Sequence, residues 1–255
     1  LGRVFLVKKR DPGGDRPQRG ARWRCAMGRG DVHVYVTGFG PFAEADVNPT
    51  QVLVESLQEG SAVGLDGVLR RCVVSEVDCV DATSVIETLR EGAETVCAEP
   101  STSGAPAAVV FVHLGVFASA TSFRVERRAY NEATFRYPDA SGRQPRCVPV
   151  RPEDGGVDRC LRTTLPVDAV VRALRGKGHD CAVSDDAGRF LCNWIYYESL
   201  RAAAARAAAA PRTNAHALFL HVPPFAAVPE KTQKTFLNDL LAAVADACRS
   251  EVSEV

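Results

Sequence analysis

Two rhythms of apolar and polar residues alternate along the chain. Residues 32–38 (VHVYVTG) form a short β-rich run ending in glycine. In residues 48–60, Asn48 followed by Pro49 in a first-turn position predicts a helix start. Residues 69–77 read as a strand. Residues 81–99 read as a helix with Val85, Leu89 and Val96 on its apolar side. Residues 107–115 are almost wholly apolar, the pattern of a central strand covered on both faces. Residues 121–131 alternate, which predicts an extended segment at a sheet edge. Residues 134–165, rich in Pro, Arg, Asp and Gly, predict a long irregular excursion. A helix with a glycine stop is predicted over 166–178 and a short strand over 181–184. A helix over about 190–210 is closed by Pro211 and Thr213–Asn214, and residues 217–223 read as a buried strand. The final helix, 230–250, places Phe236, Leu240, Val244 and Cys248 at intervals of four. This alternation predicts an α/β fold: a single-domain, three-layer α/β/α sandwich around a mainly parallel twisted sheet. Function in such sheets gathers at the carboxyl ends of strands.

Composition narrows the functional classes. Apolar residues make up 46% and charged residues 24% of 255, ordinary for a globular protein. The formal net charge is zero, so nothing predicts a broad attraction to nucleic acid or to a membrane surface. No apolar run approaches the roughly 18 residues of a membrane span. The nine cysteines (25, 72, 79, 97, 147, 160, 181, 192 and 248) are scattered, with no CxxC, no HExxH and no tight Cys/His cluster. That spacing predicts neither a zinc site nor a disulfide framework. With no secretory signal, the reading is a cytoplasmic protein with free thiols.

The first 26 residues stand apart. They carry eight Arg/Lys against two acids and have no sustained period. The only methionine is Met27, and the first predicted strand begins five residues later. Residues 1–30 are therefore expected to be an extension outside the fold, with Met27 as the natural start and a catalytic domain over 31–252. A transit peptide is the alternative, although the stretch has neither serine nor a clear amphipathic helix.

Four features at predicted strand ends carry candidate chemistry. The first is TGFGPF (37–42). It starts like a dinucleotide-binding turn but lacks the third glycine, and Pro41 blocks the turn into a helix. Phe39 and Phe42 stand out in it as aromatics in a loop. The second is a pair of strand-end histidines, His113 and His221, between which local sequence does not choose. His33, His179 and His216 occupy positions read as exposed or turn-like. The third is Glu126, flanked by Arg124, Arg127 and Arg128. It fits either a surface ion pair or a group that orients a histidine. The fourth is Cys192, just after the turn formed by Asp185, Asp186, Ala187 and Gly188. A thiol in the first turn of a helix meets the positive end of the dipole and free backbone N–H groups. Those amides could also receive charge developing on a carbonyl oxygen. With a histidine and a carboxylate, such a thiol makes the minimal apparatus of a cysteine hydrolase. Asp185 and Asp186 are expected to cap turns rather than face the sulfur.

Four separated stretches, VTGFGPFAEADVNPT, VHLGVFASATSFRVERRAYN, SDDAGRFLCNWIYYESL and LFLHVPPF, resemble in that order the pyroglutamyl peptidase I family. The resemblance implies a cysteine peptidase that removes an N-terminal pyroglutamyl residue from peptides through a thioester, without a cofactor or metal. By motif, Cys192 becomes the nucleophile, His221 (rather than His113) the base, and Glu126 the third member. Phe39 and Phe42 match an aromatic wall around the lactam ring, with Phe190 and Leu191 counted in the same pocket. Arg136 matches an arginine of the oxyanion region. Residues 115–123 lack the Gly-rich, Arg-containing version of many bacterial members. The implied partners are peptides with N-terminal pyroglutamate, with no nucleic acid or membrane, and monomer and homo-oligomer stay open. A catalytically silent peptide-binding homologue is the alternative reading.

Overall fold

A four-stranded parallel ladder forms the centre of the sheet. In the computed structural model, which describes residues 3–6, 32–42, 47–58, 68–98, 108–209 and 214–252, the strands are β1 (Arg3–Leu6), β2 (Val32–Phe39), β3 (Leu69–Ser75), β4 (Ala108–Val116), β5 (Phe123–Glu126), β6 (Arg128–Tyr130), β7 (Cys160–Arg162), β8 (Cys181–Ser184) and β9 (Asn214–Val222). The helices are α1 (Pro49–Gln58), α2 (Cys79–Ala98), α3 (Val167–Gly176), α4 (Leu191–Ala209) and α5 (Glu230–Val252). The main sheet has the order β1-β3-β2-β4-β9-β5-β8, and β6 pairs with β7 in a separate ribbon. The β1–β3 and β9–β5 pairs are antiparallel, and the other four pairs in the main sheet are parallel.

Strand period 2 sorts side chains onto the two faces. On β4, Val110, Val112 and Leu114 join one core, and Val109 and Phe111 the other. On β9, Leu218, Leu220 and Val222 join the first core, and Ala217 and Phe219 the second. The first core is closed by α1, α3 and α5, through residues such as Leu53, Leu174, Phe236 and Leu240. The second is closed by α2 and α4, through Leu89, Leu191, Ile195 and Tyr196. Helices on both faces make the three layers that the alternating pattern predicted.

Tertiary pairing departs from the sequence expectations in several places. The segment 121–131 does not lie at an edge: β5 sits between β9 and β8, and β8 takes the edge. Local alternation shows that a segment is extended, but not which neighbours it finds. His33 and His216 are not exposed. Both lie within strands and are buried, and His179 is half-buried beside Asp239. Upstream of Met27, Arg3–Leu6 forms an edge strand on β3, where no element was expected; the β-forming run Val4-Phe5-Leu6 is the local cause. Met27 itself, Pro211 and Thr213 lie outside the described residues. The excursion 134–165 is mostly irregular, with a short 3₁₀ turn at Pro152–Asp154 and β7 within it. Side chains satisfy its backbone. Asn131 Nδ2 donates to the Arg151 and Gly155 carbonyls, and Asp139 accepts from the Ser141 and Arg143 amides. Among the described residues no helix is long and apolar enough to cross a membrane.

Candidate active site

Alternation on β9 and β5 decides which side chains meet α4. Residues 217 and 219 face the α4 side, so 221 does too, and on β5 residues 124 and 126 oppose the inward pair Phe123 and Val125. Arg124 pairs in register with His221, and Glu126 with Phe219. Because β5 runs antiparallel to β9, its last residue, Glu126, lies deeper in the sheet than His221 rather than at the same rim. Glu126 is accordingly 0% exposed. Its Oε1 accepts a hydrogen bond from His221 Nδ1 at 2.8 Å. A carboxylate can only accept, so Nδ1 carries the hydrogen and Nε2 is left for the neighbouring Cys192, whose sulfur interacts with the ring. The Tyr196 hydroxyl holds the strand in place by donating to the Glu126 carbonyl at 2.8 Å.

Cys192 occupies the first turn of α4, where the leading N–H groups lack intrahelical acceptors. Its sulfur sits above Gly115, which is paired with His221 on the neighbouring strand. Burial pushes the His221 imidazolium down. The adjacent Cys192 sulfur and the Glu126 carboxylate outweigh this and raise it to about 9. Phe219 and Phe117 flank its ring, with centroids 4.9 and 5.8 Å away.

His113 is set apart from this cluster by its partner. It is 0% exposed, its Nδ1 lies 2.7 Å from Thr37 Oγ1, and burial lowers its pKa to about 3. It is therefore a neutral core histidine. His216 lies against Thr164 and His179 against Asp239, both away from the sulfur.

Two of the arginines beside Glu126, Arg127 and Arg128, serve the nucleophile turn instead of Glu126. Arg127 Nη1 and Arg128 Nε donate to the two oxygens of Asp185 at 3.1 and 2.8 Å, and Arg127 also reaches Asp168 on α3. Asp186 accepts from the Gly188 amide, the turn role expected of it, and also from Arg189. Asp185 was expected to cap a turn; it is a charge-neutralised staple between β6 and the turn. Arg127 and Arg128 offset its charge near the sulfur.

Phe39, Phe42, Arg136, Phe190, Leu191 and Cys192 all line one cavity of about 410 Å³. Phe190 packs on Phe135 at 4.7 Å and on Phe42 at 5.7 Å, so the aromatic wall is braced from behind. The Phe39 loop is positioned by α1. Thr50 Oγ1 accepts the Phe39 amide, and Asn48, the residue before α1, donates to the Gly40 carbonyl. A Cβ on Gly38 would lie 2.6 Å from the Thr50 carbonyl oxygen. Gly38 of TGFGPF thus lets the chain approach this helix. Asn48, Val116 and Tyr137 also line the cavity and were not singled out from the sequence. The Asn48-Pro49 helix start was the available signal for the first of these. Among the described residues, no group of His, Cys, Asp or Glu could hold a metal ion.

Comparison with known proteins shows what the chain is similar to. The family model for pyroglutamyl peptidase matches residues 32–244. The pyrrolidone-carboxylate peptidase of Cupriavidus necator is 31% identical over 230 residues, covering 87% of this chain and 96% of its own. That of Pseudomonas fluorescens is 34% identical over 190 residues, covering 74% and 78%. The fold is shared with the pyrrolidone carboxyl peptidase structure from Thermococcus litoralis, with a TM-score of 0.70, 22% identity and coverage of 86% of this chain and 96% of that one. With the matched segment running from the first residue of β2 into α5, the chain belongs to the pyroglutamyl peptidase family.

Proposed function

We propose that this chain is a cysteine peptidase that hydrolyses the bond after an N-terminal pyroglutamyl residue, with Cys192, His221 and Glu126 as its catalytic groups. The observation that carries the assignment is the relay from Glu126 to His221 to Cys192, opening on an aromatic cavity. His221, held at about 9, carries the thiol proton while Glu126 keeps its ring in one tautomer. Cys192 Sγ adds to the pyroglutamyl carbonyl carbon. The first-turn amides of α4 and the Arg136 guanidinium take up the charge developing on oxygen. His221 then gives its Nε2 proton to the leaving amine as the C–N bond breaks, leaving a thioester. Water adds to the thioester, His221 accepts its proton, and pyroglutamate departs as the sulfur is restored.

The cavity suits the substrate's chemistry. Cyclisation removes the α-ammonium, so an acidic subsite would have nothing to hold. A small neutral lactam instead fits apolar walls with a few polar groups. A site that pairs the lactam N–H and C=O discriminates against proline, because an unpaired buried partner costs about 1–3 kcal/mol. The test is hydrolysis of pyroglutamyl and prolyl aminomethylcoumarin substrates by wild type and Cys192→Ala. The expected result is cleavage of the pyroglutamyl substrate by wild type only. Turnover undiminished in Cys192→Ala would sink the assignment.

A further inference from the structure

The two reacting side chains open onto different cavities. Cys192 lines the aromatic cavity, and His221 lines a second one of about 210 Å³ with Phe117, Arg124, Ser184, Asp186 and Gly188. The scissile bond has to bridge them. If the lactam ring fills the aromatic side, the amine leaves toward His221, the group that protonates it. Everything attached to that amine then lies in the second cavity, whose lining is unlike that of the first. Phe117 gives it an apolar wall, and the Arg124 guanidinium carbon lies 4.3 Å from the Phe117 ring centroid.

Arg124 is the unspent charge there. The other arginines of this strand region, Arg127 and Arg128, are bound to Asp185 and Asp168. The remaining carboxylate of the cavity, Asp186, is engaged by Arg189 and the Gly188 amide. Among the described residues no carboxylate pairs with Arg124, and its side chain emerges to solvent beside His221. A guanidinium lying over an aromatic ring keeps N–H groups that can still bind a carboxylate.

We propose that the second cavity is the leaving-group subsite, and that Arg124 there binds a carboxylate carried by the leaving fragment. The inference rests on the peptidase reading above and adds a preference to it. The carboxylate has two sources, the free C-terminus of a very short substrate or an acidic side chain on the residue after pyroglutamate.

The experiment compares kcat/KM of the full chain on two substrate pairs. Pyroglutamyl-alanine against its amide tests the terminal carboxylate. Pyroglutamyl-glutamate amide against pyroglutamyl-glutamine amide tests the side chain. In wild type, the acid of at least one pair is favoured by up to about fivefold, the range of a partly exposed ion pair. The preference shrinks as salt rises. It disappears in Arg124→Gln and returns in part in Arg124→Lys. Equal rates within both pairs in wild type, a salt-independent ratio, or a preference that survives in Arg124→Gln overturns the subsite. The wild-type ratios and their salt dependence decide the matter even where a variant fails to fold. Failure to cleave any of the four substrates instead overturns the peptidase reading itself.

Discussion

Gly115 lies directly beneath Cys192. A Cβ built on it would stand 2.8 Å from Cys192 Sγ and 2.6 Å from Phe219 Cζ. Real Cβ atoms essentially never come so close, so one neighbour has to move. The Phe219 ring is fully buried and packed against Tyr196 and His221, which leaves the sulfur as the softer partner. Gly115→Ala is therefore expected to displace the nucleophile. Misplacement of a reacting atom by about 1 Å costs on the order of 100-fold in rate, so kcat is expected to fall about 10- to 100-fold. Steady-state kinetics on a pyroglutamyl coumarin substrate check this, and a kcat within twofold of wild type would refute it.

The raised His221 links stability to pH. Its folded value of about 9 lies above the ordinary imidazole value of about 6.5. A folded state that holds the proton more tightly gains from it fully below about pH 6.5, and loses that gain as pH rises through about 9. Urea unfolding of wild type is expected to show falling stability across this window. Glu126→Gln removes a carboxylate that supports the imidazolium, so its profile is expected to be flatter there. Equal slopes for the two proteins would contradict the relay.

His113 behaves oppositely. Burial lowers it to about 3, so its contribution is intact above about pH 6.5 and is lost as pH falls toward 3. His216, lowered by burial to about 4, adds to the same acid-side loss. His113→Asn is expected to be less stable at neutral pH through loss of the contact with Thr37 Oγ1. Its stability should also decline less steeply between pH 6.5 and 4. Turnover of pyroglutamyl substrates by the folded variant is expected to stay within about threefold of wild type, since the His113 side chain is bonded to Thr37 rather than to the relay. A loss comparable to that of His221→Asn would show that the wrong histidine has been placed in the relay.

These two histidines mark where sequence reading ends. Each follows four apolar residues and is buried, so period and burial describe them alike. Their roles differ through partners 76 and 95 residues away, Thr37 and Glu126. Local signals carried the layers, most helices and the first-turn position of Cys192, because each is encoded within about ten neighbouring residues. The antiparallel insertion of β5 between β9 and β8 is a long-range pairing with no local signature, yet it is what buries Glu126 and brings Arg124 beside His221. For the same reason Asp185 read as a turn residue, since the arginines that hold it lie 57 and 58 positions earlier.

Asn193, the residue after the nucleophile, yields the last prediction. It is fully buried, and its amide is used at both ends. Oδ1 accepts from the Tyr130 amide at 2.8 Å, while Nδ2 donates to the carbonyls of Tyr130 and Glu132 at 2.8 and 2.9 Å. One side chain thereby joins the first turn of α4 to β6 and the chain that continues to Arg136. Asn193→Ala leaves three backbone groups without this partner, and Asn193→Asp sets a carboxylate oxygen against two carbonyls. At about 1–3 kcal/mol for each unsatisfied buried group, Asn193→Ala is expected to lose at least about 3 kcal/mol of unfolding free energy and Asn193→Asp at least about 2. Asn193→Asp is expected to recover part of this loss at acidic pH, where a protonated carboxyl can donate again to one carbonyl. Urea denaturation at pH 5 and pH 7.5 measures both effects. The bridge is refuted if Asn193→Asp matches wild type at pH 7.5, or if its deficit is the same at both pH values.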